Sequence, residues 1–555
     1  MQNEPVSRYE STGTERKPGF TGSPLVPMIM ALVLIVGIVL GYYLRGNGGQ
    51  SAFHAKPGNA GKLVSVINYI EANYVDSIEK RDLVEAAIEA LLADLDPHSG
   101  YISAEDLAAF TEPLEGQFDG IGIEFLIQRD TLFVVRTVEG GPSDKAGILA
   151  GDRIVKVNGI PITGAALNAD TATSRLKGPR GTAVKVTVKR GSEFHDYDLK
   201  RDGIPIESVT AAFKVDAQTG YIKLERFAKP TYQEFMAAAH QMRDEGVSRL
   251  IIDLRDNGGG FMQPATEIIE EFLTPGKLIV YTEGAHQPKE EVRSGKNGLF
   301  KDMDVVVLID QNSASASEIV AGALQDWDRS VTVGRRSFGK GLVQHEIPLP
   351  DNSAMRLTVA RYYTPTGRCI QKPYGDTIDY FGDVHDRFVH GEFLSADSID
   401  FPEELKKITP GGRTVYGGGG IMPDVFVPID SVFLDPVLVD LNSGALVRDF
   451  CFNYADRYRT MLTKQYTAET FETQFVVTDD ILRSFLDVAR REKIDYTFEE
   501  TAHVRDEMKL RLKAQIARNI FGDGVMFRIL LQRDRDFEKA LEVLKSFQDF
   551  TWTQH

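Results

Sequence analysis

The chain has 555 residues, of which 42% are hydrophobic and 26% charged, with a net charge of −17 and two cysteines. At roughly 150 residues per domain the length implies three or four folded units, and the composition excludes a mainly disordered chain. The acidic balance argues against a non-specific nucleic-acid or anionic-lipid surface, and Cys369 and Cys451 are too few for a disulfide scaffold or a cysteine-rich zinc site.

Residues 25–44 carry no charge, and twenty residues of helix span about 30 Å, the thickness of a bilayer core. Tyr42 and Tyr43 at the far end suit the interface. A cleaved signal peptide is the rival, but the following Tyr-Tyr-Leu-Arg offers no small-x-small cleavage site. Residues 25–44 are therefore expected to form one uncleaved transmembrane anchor behind a tail at 1–24. Cations flank the span on both sides. A glycine-rich tether follows at 45–61. Leu63, Val66, Ile67, Ile70 and Tyr74 recur at helical spacing, as do Leu83, Ala87, Ile88 and Leu91, which predicts a helical region over 62–117. Asp96-Pro97 ends its second helix, because the residue before proline avoids helical geometry.

From 118 to 204 the period shortens. Strands are predicted at 125–127, 132–135, 153–157 and around Val184, Val186 and Val188, with one helix near 168–177: a compact β-rich module. Over 205–430 strands at 221–224, 249–254, 278–281 and 305–310 alternate with helices at 232–245, 264–273 and 316–327, which implies an α/β core. Residues 431–555 read as mostly helical, with Val504, Met508, Leu512 and Ile516 four apart. No spacing of His, Cys or Glu suggests a metal site.

Four constellations carry possible chemistry. Gly120-Ile121-Gly122-Ile123 opens the β-rich module, where glycines permit close backbone approach and successive N–H groups cradle a carboxylate. Alone, a tight turn is the simpler reading. Ser313, Ser315 and Ser317 follow the apolar strand 305–309, where helix N–H groups stabilise negative charge, although Ser315-x-x-Glu318 is equally a capping box and on spacing alone that is the better reading. Residues 334–341 fall one residue short of a phosphate-binding loop: Gly341 stands where Ser or Thr would hold magnesium, and a strand pattern rather than a helix follows. The fourth, Asp253-Leu254-Arg255-Asp256-Asn257-Gly258-Gly259-Gly260, exposes backbone N–H groups at a strand end, as an ordinary strand-to-helix turn also would.

Downstream of the first loop, GGPSDKAGI (140–148), GDRI (151–154) and VNG (157–159) resemble a bacterial PDZ domain, a module that captures C-terminal carboxylates. With DPHSGYIS (96–103), DLRDNGGG, SASASEI, AGALQDW, SFGKGLVQ and YYTPTGR (362–368), the chain resembles the carboxy-terminal processing (tail-specific) serine peptidases. The resemblance implies a multidomain fold: the transmembrane helix, a small helical region, the PDZ domain, a crotonase-like α/β protease core and a mostly helical C-terminal region. It implies a serine–lysine dyad, with Ser315 as nucleophile, Lys340 as base and Gln344 supporting the lysine. Oxyanion donors would be the N–H of Ala316 and of a loop glycine, Gly259. Gly258 departs from the family, which usually has proline or serine there. Gly120, Ile121, Gly122 and Ile123 would bind the free C-terminus of a protein or peptide substrate. No cofactor, metal, nucleotide or nucleic acid is implied. The catalytic part is expected to be periplasmic, held at the inner membrane, with homodimerisation through the terminal helical parts.

The residues support this chemistry without the resemblance. A lysine acts as base only when neutral, which burial promotes. Lys340 and Gln344 are four apart in a strand, so their side chains are expected to share a face, with His345, the rival base, on the opposite one. A catalytically silent PDZ scaffold is the alternative, disfavoured because Ser315, Lys340 and Gln344 are all present. Nucleotide hydrolysis fails at Gly341.

Overall fold

The structure is a computed structural model that describes residues 59–550 apart from 166, 376, 377, 400 and 401. The chain divides into two compact units between Leu91 and Leu92. In the first, helix α1 (Asn59–Asn73) and most of α2 (Lys80–Ala93) leave Leu63, Val66, Tyr69 and Tyr74 exposed.

One expectation is corrected. The transmembrane helix at 25–44 lies outside the described residues, and among the described residues no helix is long and apolar enough to cross a membrane. The fold class therefore reads without it, as a multidomain chain with a β-rich module, an α/β core and a helical C-terminal region.

The second unit begins with β1 (Gly100–Ile102), three residues that the periodicity assigned to the helical region. The β-rich module is built on β2 (Ile123–Gln128), β3 (Thr131–Thr137), β4 (Arg153–Val157), helix α3 (Ala169–Leu176), β5 (Ala183–Arg190) and β6 (Glu193–Lys200). Its sheet runs β2-β3-β4-β5-β6, so β2 is an edge strand. Leu132 and Val134, and Val184, Val186 and Val188, point inward at alternate positions, as one buried face requires, and Ile154 and Val157 join them across a register shift in β4.

The α/β core follows: β7 (Val209–Lys214), β8 (Thr219–Leu224), α4 (Thr231–Asp244), β9 (Arg249–Asp253), α5 (Met262–Glu270), β10 (Leu278–Glu283), β11 (Glu290–Arg293), β12 (Asp304–Ile309), α6 (Ala316–Asp326), β13 (Val331–Gly334), β14 (Leu342–Pro348), β15 (Ala354–Tyr363) and β16 (Val425–Phe426). One sheet runs β7-β8-β9-β12-β13-β16, parallel except where β7 meets β8. Its strands are apolar at consecutive positions because both faces are covered. Ile222, Ile252, Val305 and Val307 pack under α4, α5 and α6. Tyr221, Ile251, Val306 and Leu308 face the other way, against Phe537, Ala540, Val543 and Leu544.

Those four residues belong to the C-terminal region, which contains α7 (Gly444–Gln465), α8 (Asp479–Arg491), α9 (Arg505–Phe521), α10 (Asp523–Leu530) and α11 (Arg535–Lys545). The spacing of residues 537, 540, 543 and 544 puts them on one stripe of α11, so this helix completes the α/β core. A buried charge cluster ties it down. Arg255, just after β9, donates to Asp253 (2.6 Å), Asp534 (2.8 Å) and Asp536 (3.2 Å), and Arg335 meets Asp536 at 3.1 Å. Despite burial, the charges of Arg255 and Lys223 hold the Asp253 carboxyl well below the usual range.

The same region grips the β-rich module. Fully buried Phe452 of α7 packs with Leu126, Phe133 and Val135. Beside it, Glu124 of β2 pairs with Arg136 (2.6 Å) and Arg518 (2.7 Å), and Asp523 closes the ring to both arginines.

A second sheet positions the site. β15 pairs antiparallel with β14 along one edge, and with β1 and then β10 along the other. The strand at 278–283 therefore leaves the parallel sheet that its place in the β-α alternation suggested.

Candidate active site

Just past β12 stands Asp310, whose buried carboxylate accepts the N–H groups of Asp256 (3.0 Å), Asn312 (3.1 Å) and Ser313 (3.1 Å). Burial and the neighbouring Asp256 charge push Asp310 up to about 6. This carboxylate shapes the turn that delivers Ser315 to the N-terminus of α6. There Ser315 adopts φ 55°, ψ −114°, a conformation non-glycine residues rarely occupy. Such strain persists only when neighbours enforce it.

The enforcing residue is Asn257, which is wholly buried. Its carbonyl accepts from Ala314 N–H (3.0 Å) and from the Ser317 hydroxyl (2.9 Å), and its side chain donates to Leu224 and accepts from Gly259 N–H (2.9 Å). Gly259, at φ 96°, is held so close that a Cβ there would lie 2.8 Å from Ser315 Cβ and 2.9 Å from Ala316 N. Ala316 N–H opens α6, where no intrahelical acceptor exists and the helix dipole is positive. Gly259 thus sits in the expected loop beside it, but its own N–H is donated to Asn257.

The three serines differ. Ser313 Oγ is buried and donates to the Leu254 carbonyl (2.8 Å), and Ser317 Oγ is buried on Asn257. Ser315 is half-buried, and its hydroxyl makes no capping bond. Of the expected capping box, the half that forms is Glu318 Oε2 accepting Ser315 N–H at 2.8 Å.

Glu318 does more than cap. Its other oxygen accepts from Ser337 Oγ (2.6 Å) and Gly339 N–H (2.8 Å), while Oε2 also takes Lys340 N–H (2.9 Å). Burial pushes Glu318 up to about 7 against the pull of these four donors. The buried Tyr362 hydroxyl adds a second link, 2.7 Å from the Lys340 carbonyl and 3.1 Å from that of Ser315. Glu318 and Tyr362 together fasten the backbone of Ser315 to that of Lys340. The sequence showed Glu318 only as a cap and Tyr362 only as part of YYTPTGR.

Lys340 lies in the loop before β14. Burial and the positive charge of Arg356 lower its pKa, opposed by Glu318 and Asp96. No hydrogen bond joins its Nζ to Ser315 Oγ or to Gln344 among the described residues. The expected strand does not reach Lys340, because β14 starts at Leu342; within β14 the register against β15 shifts between Val343 and Gln344. That shift sets Gln344 opposite Thr358, and Gln344 Nε2 lies 3.5 Å from Thr358 Oγ1. His345 is exposed. His98, of the 96–103 motif, is kept neutral: burial and the nearby Lys340 charge lower its pKa to about 4.

In the second expected site, Gly120 ends a short strand (Gln117–Gly120) and Gly122 takes φ 73°. The carbonyls of Ile121 and Gly122 accept from Ser143 and Val138 N–H, both at 3.0 Å. Their own N–H groups have no partner among the described residues. Ile121 is in the core, and Ile123 begins edge strand β2.

A strained serine between an apolar strand and a helix, its backbone fastened to that of a half-buried lysine, with a β-rich module upstream, describes a serine peptidase with a peptide-binding domain. Profiles of known families agree: peptidase family S41 matches residues 218–380, the PDZ domain 133–190, and a family of unknown function 437–522. The carboxy-terminal-processing protease of Bartonella bacilliformis is 36% identical over 60% of this chain and 76% of its own length. A probable CtpA-like serine protease of Staphylococcus aureus is 30% identical over 74% and 79%. The solved photosystem II D1 C-terminal processing protease is 25% identical, with a TM-score of 0.35, over 67% and 94%. The chain belongs to the carboxy-terminal-processing serine peptidases of family S41. The enzyme class and the PDZ domain expected from the sequence are thereby borne out.

Proposed function

We propose that this peptidase hydrolyses protein substrates by a Ser315–Lys340 dyad after its PDZ domain engages their free C-terminus. The observation that carries the dyad is the contrast among the three serines: only the strained, half-buried Ser315 has a hydroxyl not spent on the scaffold. In the proposed reaction neutral Lys340 takes the Ser315 proton as Oγ attacks the scissile carbonyl carbon. The oxyanion forms beside Ala316 N–H, with a second donor from the 258–260 loop other than the engaged Gly259 N–H. Collapse expels the amine, which carries off the proton from Lys340, and water then releases the acyl group with Lys340 again as base. Glu318 and Tyr362 fasten both backbones, so in this reading the dyad closes by movement of the lysine side chain.

The unpartnered N–H groups of Ile121 and Gly122 support capture of a terminal carboxylate, with the last residues of the substrate extending along β2. An extracytoplasmic location belongs to the same reading, as does self-association through the exposed apolar residues of 59–91, which sedimentation of the whole chain would test.

The deciding experiment measures cleavage of an unfolded protein together with folding. Ser315→Ala should abolish cleavage and leave stability unchanged. Ser317→Ala should cost stability, about 1 kcal/mol for a buried hydrogen bond, and keep measurable activity. Lys340→Ala should be inactive and His345→Ala active. Activity surviving in Ser315→Ala or Lys340→Ala would reject the dyad.

A further inference from the structure

Along the edge of β15 away from β14, β1 covers residues 354–356 and β10 covers 361–363, which leaves Thr358 between them. The turn before β1 fills that gap. Thr358 N–H donates to Ser99 Oγ at 3.0 Å, and Thr358 Oγ1 donates to Asp96 Oδ1 at 3.0 Å. Buried Asp96 also accepts from Ser99 Oγ (2.6 Å), Ser99 N–H (2.9 Å) and His98 N–H (2.8 Å). Burial raises the Asp96 pKa, but these donors outweigh it and hold the group below the usual range, so it stays ionised and can only accept.

The directions of these bonds propagate. A threonine hydroxyl has one proton. With that proton on Asp96, Thr358 Oγ1 can only accept from Gln344, so the Gln344 NH₂ faces Thr358 and its carbonyl oxygen faces away. A lysine amine needs an acceptor, and of the two ends of the amide only the carbonyl oxygen is one. We infer that Asp96 is a positioning residue which, through Thr358, sets the sense of the Gln344 amide so that the carbonyl oxygen is the end available to Lys340. This rests on the reading of Lys340 as base and Gln344 as its support.

The test compares Thr358→Val, Thr358→Ser, Asp96→Asn and Lys340→Ala in the full chain, by kcat, KM and the pH dependence of kcat on a peptide substrate. Thr358→Val should lower kcat about tenfold, the kinetic equivalent of one hydrogen bond, with KM within about twofold. Thr358→Ser keeps the hydroxyl and should restore most of the loss. In Asp96→Asn the new NH₂ can donate to Thr358, turning the hydroxyl proton toward Gln344 and reversing its amide, so kcat should fall at least as far. The low-pH limb should also move to lower pH, since Lys340 loses a negative neighbour and an acceptor, while Arg356, Glu318 and His98 around it are unchanged. A purely structural role would lower kcat without moving that limb. If Asp96→Asn does not fold, the two Thr358 variants decide. Lys340→Ala inactive with Thr358→Val at the wild-type rate, or with Thr358→Ser no better than Thr358→Val, overturns this inference alone. Lys340→Ala at the wild-type rate overturns the dyad, and this inference with it.

Discussion

Replacing Glu318 with glutamine keeps the shape of the clamp between Ser315 and Lys340 and removes its charge. The wild-type carboxylate accepts four donors. A glutamine must turn its NH₂ toward one pair. Facing Ser315 N–H and Lys340 N–H would orphan two buried backbone donors, whereas facing Ser337 Oγ and Gly339 N–H orphans one, Gly339, and leaves the Ser337 hydroxyl, which can accept instead, to redirect its proton. The second orientation should win, at about 1–3 kcal/mol for the one orphaned N–H. Against this stands relief of a buried charge. The Glu318 pKa rises from 4.5 to about 7, so its stabilising contribution is complete below pH 4.5 and is lost as pH rises through about 7. At 1.36 kcal/mol per unit that loss is about 3 kcal/mol. At pH 8 the two effects nearly cancel, and Glu318→Gln should be within about 1 kcal/mol of wild type. Catalysis should still suffer, by tenfold or more in kcat, because the amides beside nucleophile and base lose their charged acceptor. Urea unfolding at pH 5 and 8, followed by the fluorescence of Trp327 at the end of α6, gives the stability, and single-turnover cleavage gives the rate. An unchanged kcat at pH 8 would refute the clamp. A kcat loss accompanied by several kcal/mol of destabilisation would reduce Glu318 to a structural role.

Two further outcomes follow from close approach and from charge. Gly259→Ala adds a Cβ 2.7 Å from the Ala314 carbonyl and 2.8 Å from Ser315 Cβ at φ 96°, and should lower kcat about a hundredfold through displacement of the serine turn; retained activity would show that the turn tolerates movement. Amidating the C-terminus of a peptide substrate removes the charge that the Ile121 and Gly122 N–H groups would bind, and should weaken its binding to the whole enzyme about tenfold; equal affinity would make the 120–123 segment an ordinary turn.

Local signals in the sequence carried much of this architecture. Five consecutive apolar residues, 305–309, can scarcely be other than a strand buried on both faces, and a serine just beyond them marks the junction with α6. Which sheet a strand joins was hidden: β10 has the same apolar look as β12 yet pairs with β15. β1 is too short to show a period, and its pairing of Gly100 with Arg356 crosses most of the core. The strand expected to carry both Lys340 and Gln344 starts only at Leu342, a boundary set by pairing with the partner strand. Asn257 reads as a turn residue, and its importance comes from burial with its side chain and carbonyl all engaged, a fact of tertiary packing. Nor does helical periodicity reveal that α11 covers the protease sheet or that Phe452 wedges into the PDZ domain.

The buried arginine at the root of the glycine loop has a bearing on how the enzyme is made. Arg255 meets Asp534 and Asp536 across 279 and 281 residues of chain. Within β8 through β13 the guanidinium beneath the loop has Asp253 as its bonded carboxylate, and the helix that buries the far face of the sheet comes later in the chain. The loop that presents Asn257 to the serine turn therefore gains its charged anchors from the C-terminal region only when α11 docks. The last charged tie beneath the cutting apparatus is thus supplied by residues made nearly three hundred positions later.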